Sequence, residues 1–456
     1  MQISKIVRLV LIVSILIAAL GVVSAQDEPQ YAGLDMDLSG VTIRMAAIGG
    51  VPYEAMYDTI PIFEEATGAT VEIVALLDGF EIDKKLKVDF ATGAADYDVS
   101  WDHTSFMAAY TNFLLPLNDY FSEEELAPFS PAILGAATVD GNLYLIPRHA
   151  DISPIHYRKD LYEDADIAAA YLEATGEELV VPTTLEQIDM QARFFVENEY
   201  ATYGWTMAGK EEALAGRFYE MLFASGGAFF DENWEPTFNG EIGVAVAELL
   251  TGWYNDGIIP VDTTSLLWPE VAQYWCNADV ALKLEWYGWY GYFQDPEACP
   301  AIAGNFGLAR GFTGLSIGGD AVRPTGWAGA HAFSIPATAP NPEAGAQLIK
   351  FLTSERVAYE EAARGSLPVR DDVWDRIIAD AAGSDVALDQ QRLELARIQI
   401  SEDFKTPPII AEWIPFSNIF YPHLQAIILG DVSAQEGLDA AAEEAREMMA
   451  DAGYYD

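Results

Sequence analysis

GLSIG, at residues 314–318, is the stretch whose residue types and spacing first suggest a catalytic nucleophile. The pattern G-x-S-x-G makes a nucleophile elbow when a strand enters the serine and a helix leaves it, and His331 and His423 lie downstream as possible bases. Here Gly318-Gly319-Asp320 and then Pro324 follow, so no helix can start and no strained turn presents the hydroxyl. Metal chemistry finds no better footing. The five histidines (103, 149, 156, 331, 423) contain no H-E-x-x-H, and no cysteine stands beside them at zinc spacing. Asp140-Gly141 lacks the alternating oxygen ligands of a calcium loop. Among 71 acids no two are singled out as a pair facing across a glycosidic bond. No catalytic residue, metal or cofactor is expected.

What remains is a surplus of aromatic side chains at turns and strand ends: Trp101, Tyr157, Trp205, Trp286, Trp289 and Trp327, with KLEWYGWYGYF at 283–293 the densest run. A lone tryptophan is more often core than platform. Several beside polar partners (Trp101 by Asp102, Trp286 by Glu285, Trp327 by Gly326) suit a sugar ring, whose C–H faces stack on indole while its hydroxyl rim takes hydrogen bonds.

The elements that must position these residues read as α/β. VTIRMAAIGG (41–50), TVEIVALL (70–77) and YDVSW (97–101) are strands, separated by a helix from about Tyr53 to Gly68 and another over 81–93. Strand, helix, strand, helix, strand at this spacing makes a parallel sheet, and ligands collect at the carboxyl ends of such strands. That places Gly49, Gly50, Trp101, Asp102 and His103 near a candidate site. Asp140-Gly141 turns a hairpin within 139–148, and Thr183-Thr184-Leu185-Glu186 opens a helix as a capping box. Residues 190–260 read as mostly helical, VALKLEW (280–286) as a strand, Asn341-Pro342-Glu343 as a helix cap, and Ser433 with Glu436 as a second capping box.

The first residues, MQISKIVRLVLIVSILIAALGVVSA, carry Lys5 and Arg8, an apolar core and a small-residue end, the form of a secretory signal peptide over 1–25, with a retained anchor as the alternative. No cysteine lies near Ala25, so lipid anchoring is not expected and an exported, periplasmic or extracellular protein is. The formal net charge of −47 would repel phosphate backbones, so nucleic acid is not an expected partner. Cys276 and Cys299, the only cysteines, bracket the aromatic run and are expected to pair in an oxidising compartment; two buried free thiols are the alternative.

The order of motifs resembles the extracellular solute-binding proteins, family 1, sugar-binding subunits of ABC importers related to maltose-binding protein. The matching stretches include FEEATGATVEIV (63–74), KLKVDFATGAADYDVSWDH (85–103), DGNLYLIPRHADISPIHYRKDLYEDA (140–165), ASGGAFFD (224–231), ADVALKLEWYGWY (278–290), AQLIKFLTSE (346–355), GSLPVRDD (365–372) and GDVSAQEGLDAA (430–441). The resemblance implies a two-lobed periplasmic-binding-protein fold with several crossing strands and a ligand cleft between the lobes. The first lobe would take 26–152 and return over 304–352; the second would take 153–303 and 353–456. It implies that Asp102 and Asp151 accept hydroxyl hydrogen bonds, that Trp286 and Trp327 (after Gly326) stack on the ligand, and that Arg370 reaches the cleft. Tyr157, Tyr287 and Trp289 are secondary candidates, and His103 and Arg148 stand where the family varies. Leu185 replaces the family's usual tryptophan at the P-T-T-W-x-E helix start. The implied protein is a monomer that carries a mono- or oligosaccharide to ABC permease subunits and performs no chemistry. A binding protein for a polyol or glycerol phosphate, or a secreted carbohydrate-active hydrolase, is the alternative.

Overall fold

The computed structural model describes residues 28–50, 53–317, 324, 327–383 and 387–455. The expected leader at 1–25 and Gly326 fall outside these residues. The strands are β1 Thr42–Ile48, β2 Thr70–Leu77, β3 Val99–His103, β4 Thr138–Val139, β5 Asn142–Leu143, β6 Ile146–Ile152, β7 Ile155–Arg158, β8 Tyr203–Thr206, β9 Val280–Leu284, β10 Phe306–Ala309, β11 Ala328–Ser334 and β12 Leu367–Pro368. Two sheets form, one in the order β12-β6-β11-β3-β1-β2 and one in the order β10-β7-β9-β8, beside the small β4-β5 hairpin.

β1 pairs in parallel with β2 and with β3, as the strand–helix alternation requires. The crossover helix Gly79–Thr92 starts where Asp78 accepts the N–H groups of Phe80 and Glu81, and stops at Gly93, whose φ of 69° suits glycine. Two large hydrophobic cores form. One gathers Ile43, Phe63, Leu86, Trp101, Ile146 and Phe333, and also takes Val280 of β9 and Phe306 and Leu308 of β10; the other gathers Trp205, Phe218, Trp253, Leu282, Trp413 and Phe420. β6 runs straight into β7, so Ser153 and Pro154 carry the chain from the first sheet to the second.

β10 pairs with β7, so the chain re-enters the first sheet at β11 rather than at residue 304. β12 pairs with β6, and the helices Glu355–Ala363, Asp371–Ala382 and Ala387–Glu402 bury Val357, Trp374 and Ala396 in the first core. Only from the helix Trp413–Ile428 onward does the chain's last part belong to the second core. Short apolar helices carry no mark of which sheet they will cover.

The caps are partly as read. Ser433 and Glu436 form the reciprocal box. The helix Leu185–Glu197 is capped by Thr184, which accepts from the N–H of Gln187, while Glu186 accepts the Ser316 N–H of the GLSIG stretch. Asn341 caps nothing with its side chain; its own N–H donates to Asp98. β8 interrupts the expected run of helices because four residues of a parallel strand, three of them buried, show no period to read. Cys276 and Cys299 are disulfide-bonded, tying the end of the helix Trp268–Cys276 to the loop after the aromatic run. Closing that loop is worth about 3 kcal/mol in the chain-entropy view.

Candidate functional site

Strand register builds the centre of the site. On β11, His331 lies opposite His103 of β3 on one side and opposite His149 of β6 on the other. Residues directly opposite on neighbouring strands share a face. Three of the five histidines therefore stand in one row, with ring centroids 4.5 Å apart for His149–His331 and 5.1 Å for His103–His331. Tyr53 stacks on His331 at 4.6 Å. Two positions along β6, Asp151 lies on the same face opposite Gly329. The glycine is required there: a Cβ at 329 would lie 2.4 Å from Cε1 of His103.

All three imidazoles point Nε2 at one carboxylate. Asp151 Oδ2 lies 2.9 Å from His331 Nε2 and 3.7 Å from His103 Nε2, and Oδ1 lies 3.7 Å from His149 Nε2. His103, Asp151 and His331 thus have the outline of a metal-ligand set, with their ligating atoms within 4.8 Å of one another. The proton inventory speaks against that use. The indole N–H of Trp101 donates to Nδ1 of His331 at 3.0 Å, and the backbone N–H of Ser105 donates to Nδ1 of His103 at 3.2 Å. A neutral imidazole has one N–H and one lone pair. With both Nδ1 lone pairs engaged, both rings present N–H, not a lone pair, to Asp151. Burial pushes His331 down to about 4, so it stays neutral near pH 7, although Asp151 beside it works the other way. Burial works to raise the Asp151 carboxyl, but the three imidazoles outweigh it and hold the carboxyl well below the usual carboxylate range. Its free lone pairs face a cavity of about 610 Å³.

That cavity is walled by aromatic rings: Tyr53, Phe80, Trp268, Trp286, Trp289 and Trp327 among them. Phe80 and Trp268 stack at 5.7 Å. Trp286 and Trp327 meet edge to face at 4.9 Å, backed by Arg217, whose guanidinium carbon is 5.0 Å and 5.4 Å from the two ring centroids. Arg217 is buried and anchored by Glu220 at 2.7 Å and Ser153 at 3.0 Å, so the two indoles are fixed from behind. Trp327 also packs on bare backbone, since a Cβ on Gly216 would sit 2.1 Å from its ring. The polar lining residues are chiefly carboxylates (Asp78, Glu81, Glu211, Glu212, Glu270) with Lys84 and Lys210, and no arginine is among the described ones.

Glu212 comes from the second core, at the start of the helix Glu211–Ala224, and accepts the indole N–H of Trp413 at 3.1 Å. Burial pushes its carboxyl up from 4.5 to about 7, against the lowering influence of His103, Trp413 and Arg217. The native state therefore keeps a proton that the unfolded chain releases at its lower pKa. That contribution to stability is complete below about pH 4.5 and is lost as pH rises through 7. Glu212→Gln, which mimics the protonated form, is expected to be near neutral at about pH 4.5 and to stabilise by about 3 kcal/mol at about pH 8. Urea denaturation of both proteins at the two pH values checks this.

Of the residues expected at the site, Gly50, Trp101, His103, Asp151, Trp286, Trp289 and Trp327 line the cavity. Five do not. Asp102 neighbours lining residues on its strand and Arg148 stands three positions before Asp151, and alternation turns both to the opposite face. Asp102 accepts the N–H of His103 and is buried, which pushes its carboxyl up. Arg148 pairs with Glu361 in the first core. Tyr287 turns away from Trp286 to donate to Gln399. Tyr157 packs on the bare backbone of Gly307 and against Tyr162. Arg370 pairs with Asp372 and lies over Phe129. At 1% exposure Trp101 has no open face for stacking, and its indole N–H is bonded to His331. Tyr53, Phe80, Glu212, Trp268 and His331 line the cavity without having been expected to. Only the i, i+2 spacing of His149 and Asp151 on a strand could have pointed to the imidazole row.

Comparisons with known proteins bear on the family and the fold. The family model for the bacterial extracellular solute-binding protein matches residues 48–359. A probable amino-acid ABC transporter periplasmic-binding protein of Sinorhizobium fredii is 25% identical over 58% of this chain and 61% of its own length, so the chain spans less than two thirds of that relative. Among solved structures, a maltose-bound protein of T. maritima superimposes with a TM-score of 0.76 at 24% identity, over 90% of this chain and all of the other. An ABC transporter solute-binding protein of Agrobacterium radiobacter in complex with ribitol does so with a TM-score of 0.77 at 21% identity, over 90% of this chain and 99% of the other. These superpositions carry the two-lobed fold. With the family model covering well over half of the chain, the residues that wall the cavity included, the chain belongs to the bacterial extracellular solute-binding protein family.

Proposed function

We propose that the protein captures a neutral, hydroxyl-rich solute, a saccharide or a polyol, and delivers it to the membrane subunits of an ABC importer without altering it. The observation that carries this reading is Asp151, fixed as a hydrogen-bond acceptor by imidazole N–H groups in a cavity walled by indoles. An ionised carboxylate with free lone pairs accepts hydroxyl protons strongly, and indole faces suit the apolar side of a sugar or a polyol chain. Maltose and ribitol occupy two of the structural neighbours. A phosphate or an amino-acid carboxylate is a poorer match, because bidentate arginine is missing from the described lining and carboxylates outnumber the two lysines. Capture would work by differential affinity: a ligand held by Asp151 from the first core and by Trp286 from the second favours the closed arrangement. The chain would act as an exported monomer, and no described helix is long and apolar enough to cross a membrane.

A thermal-shift panel tests the reading. Maltose, mannitol and ribitol are set against glycerol 3-phosphate and a mixture of amino acids. A bound ligand at about 100 times its Kd stabilises the native state by about 2.7 kcal/mol. A rise in Tm with a neutral saccharide or polyol is expected; a rise confined to the amino acids or the phosphate contradicts the proposal.

A further inference from the structure

We propose that Trp101 is a positioning and specificity residue: by donating its indole N–H to His331, it denies the cleft a divalent-metal site and commits Asp151 to hydroxyl ligands. The hydroxyl half rests on the function proposed above; the metal half stands on geometry alone.

Three groups with metal-binding chemistry converge from β3, β6 and β11, their ligating atoms within 4.8 Å. A histidine that binds a metal must offer a lone pair at that nitrogen, and its other nitrogen must carry the proton and donate it to an acceptor. Here the arrangement is reversed. The partner behind His331 is the Trp101 indole, which can only donate, and the partner behind His103 is the Ser105 amide, which can only donate. A metal at His331 Nε2 would force a proton onto Nδ1, pointing directly at the Trp101 N–H. The Trp101 ring has no room to swing its N–H aside, because it is 1% exposed and Phe106 packs edge-on to it at 6.1 Å. His149 has no such partner behind it; its Nδ1 is buried without a hydrogen bond, so either of its tautomers is open. Freeing His331 offers a metal a lone pair beside Asp151 Oδ2, 2.9 Å away, while the Ser105 amide still holds Nδ1 of His103.

Trp101→Phe keeps the buried ring and removes the N–H. Titrated calorimetrically with zinc chloride and no other ligand, this variant is expected to bind zinc about 10- to 100-fold more tightly than the wild type. The gain is expected to vanish in Trp101→Phe/His331→Gln. Zinc affinity unchanged within about threefold of wild type, or a gain that survives His331→Gln, overturns the proposal. A second measurement needs no variant to fold: long-range proton–nitrogen correlation spectra of the wild-type histidines report which ring nitrogen is protonated. Protonated Nε2 and bare Nδ1 on His331 and His103 are expected, and protonated Nδ1 on either ring overturns it. No solute enters either experiment, so the failure of the carbohydrate reading would leave these outcomes standing, and the reverse.

Discussion

Asp151→Asn is expected to weaken solute binding by two to three orders of magnitude while leaving a folded protein. Asparagine keeps the shape but exchanges one acceptor oxygen for an N–H₂ group. Because His331 and His103 both face Oδ2, the amide oxygen takes that place and the N–H₂ group takes the place of Oδ1, opposite Nε2 of His149, whose tautomer is open. The ligand's hydroxyls would lose a charged acceptor. Charge-assisted hydrogen bonds contribute about 1.5–3 kcal/mol each, and with two ligand hydroxyls meeting a neutral amide in place of the carboxylate a loss of about 3–4 kcal/mol is expected. At 1.4 kcal/mol per decade this is roughly a few hundredfold. Calorimetric titration measures it, and chemical denaturation checks that the loss is not one of folding. Affinity within about threefold of wild type would remove Asp151 from the site.

The second large effect lies outside the cleft. Arg148→Met is expected to cost about 3–5 kcal/mol of stability, a large part of the margin of an ordinary domain, with little change in the affinity of the protein that remains folded. Arg148 is buried, donates to Glu361, and also donates to the backbone carbonyl of Tyr53 at 3.2 Å. Methionine leaves Glu361, itself buried, without its counter-charge. Removing both charges in Arg148→Met/Glu361→Leu is expected to recover most of the loss, because two apolar groups need no partner. Urea denaturation of the three proteins decides. If the double variant is no more stable than the single one, the ion pair is not the cause.

These two neighbours on β6 show what a sequence discloses and what it withholds. The strand–helix alternation at 41–101, the capping box at Ser433 and the expected pairing of Cys276 with Cys299 follow from local rules and are visible without a structure. Period-two alternation was visible too, and it separates Trp101 and His103 from Asp102, and His149 and Asp151 from Arg148. What cannot be read is the register of β11 between β3 and β6, which puts His331 opposite His103 across more than two hundred residues. The arrival of Glu212 and Trp268 at a cavity also walled by Tyr53 and Phe80 is equally non-local. Tryptophan count suggested platforms; only neighbours distinguish Trp286, anchored over Arg217, from Trp101, which is buried as a hydrogen-bond donor.

The central claim is that the cleft holds a neutral, hydroxyl-rich solute and releases it unchanged. Isothermal titration with the best neutral ligand of the panel, followed by recovery of that ligand from the cell, tests it directly. The account predicts one saturable site per chain and intact ligand. Failure of every neutral saccharide and polyol to bind, or recovery of cleaved ligand, would contradict it.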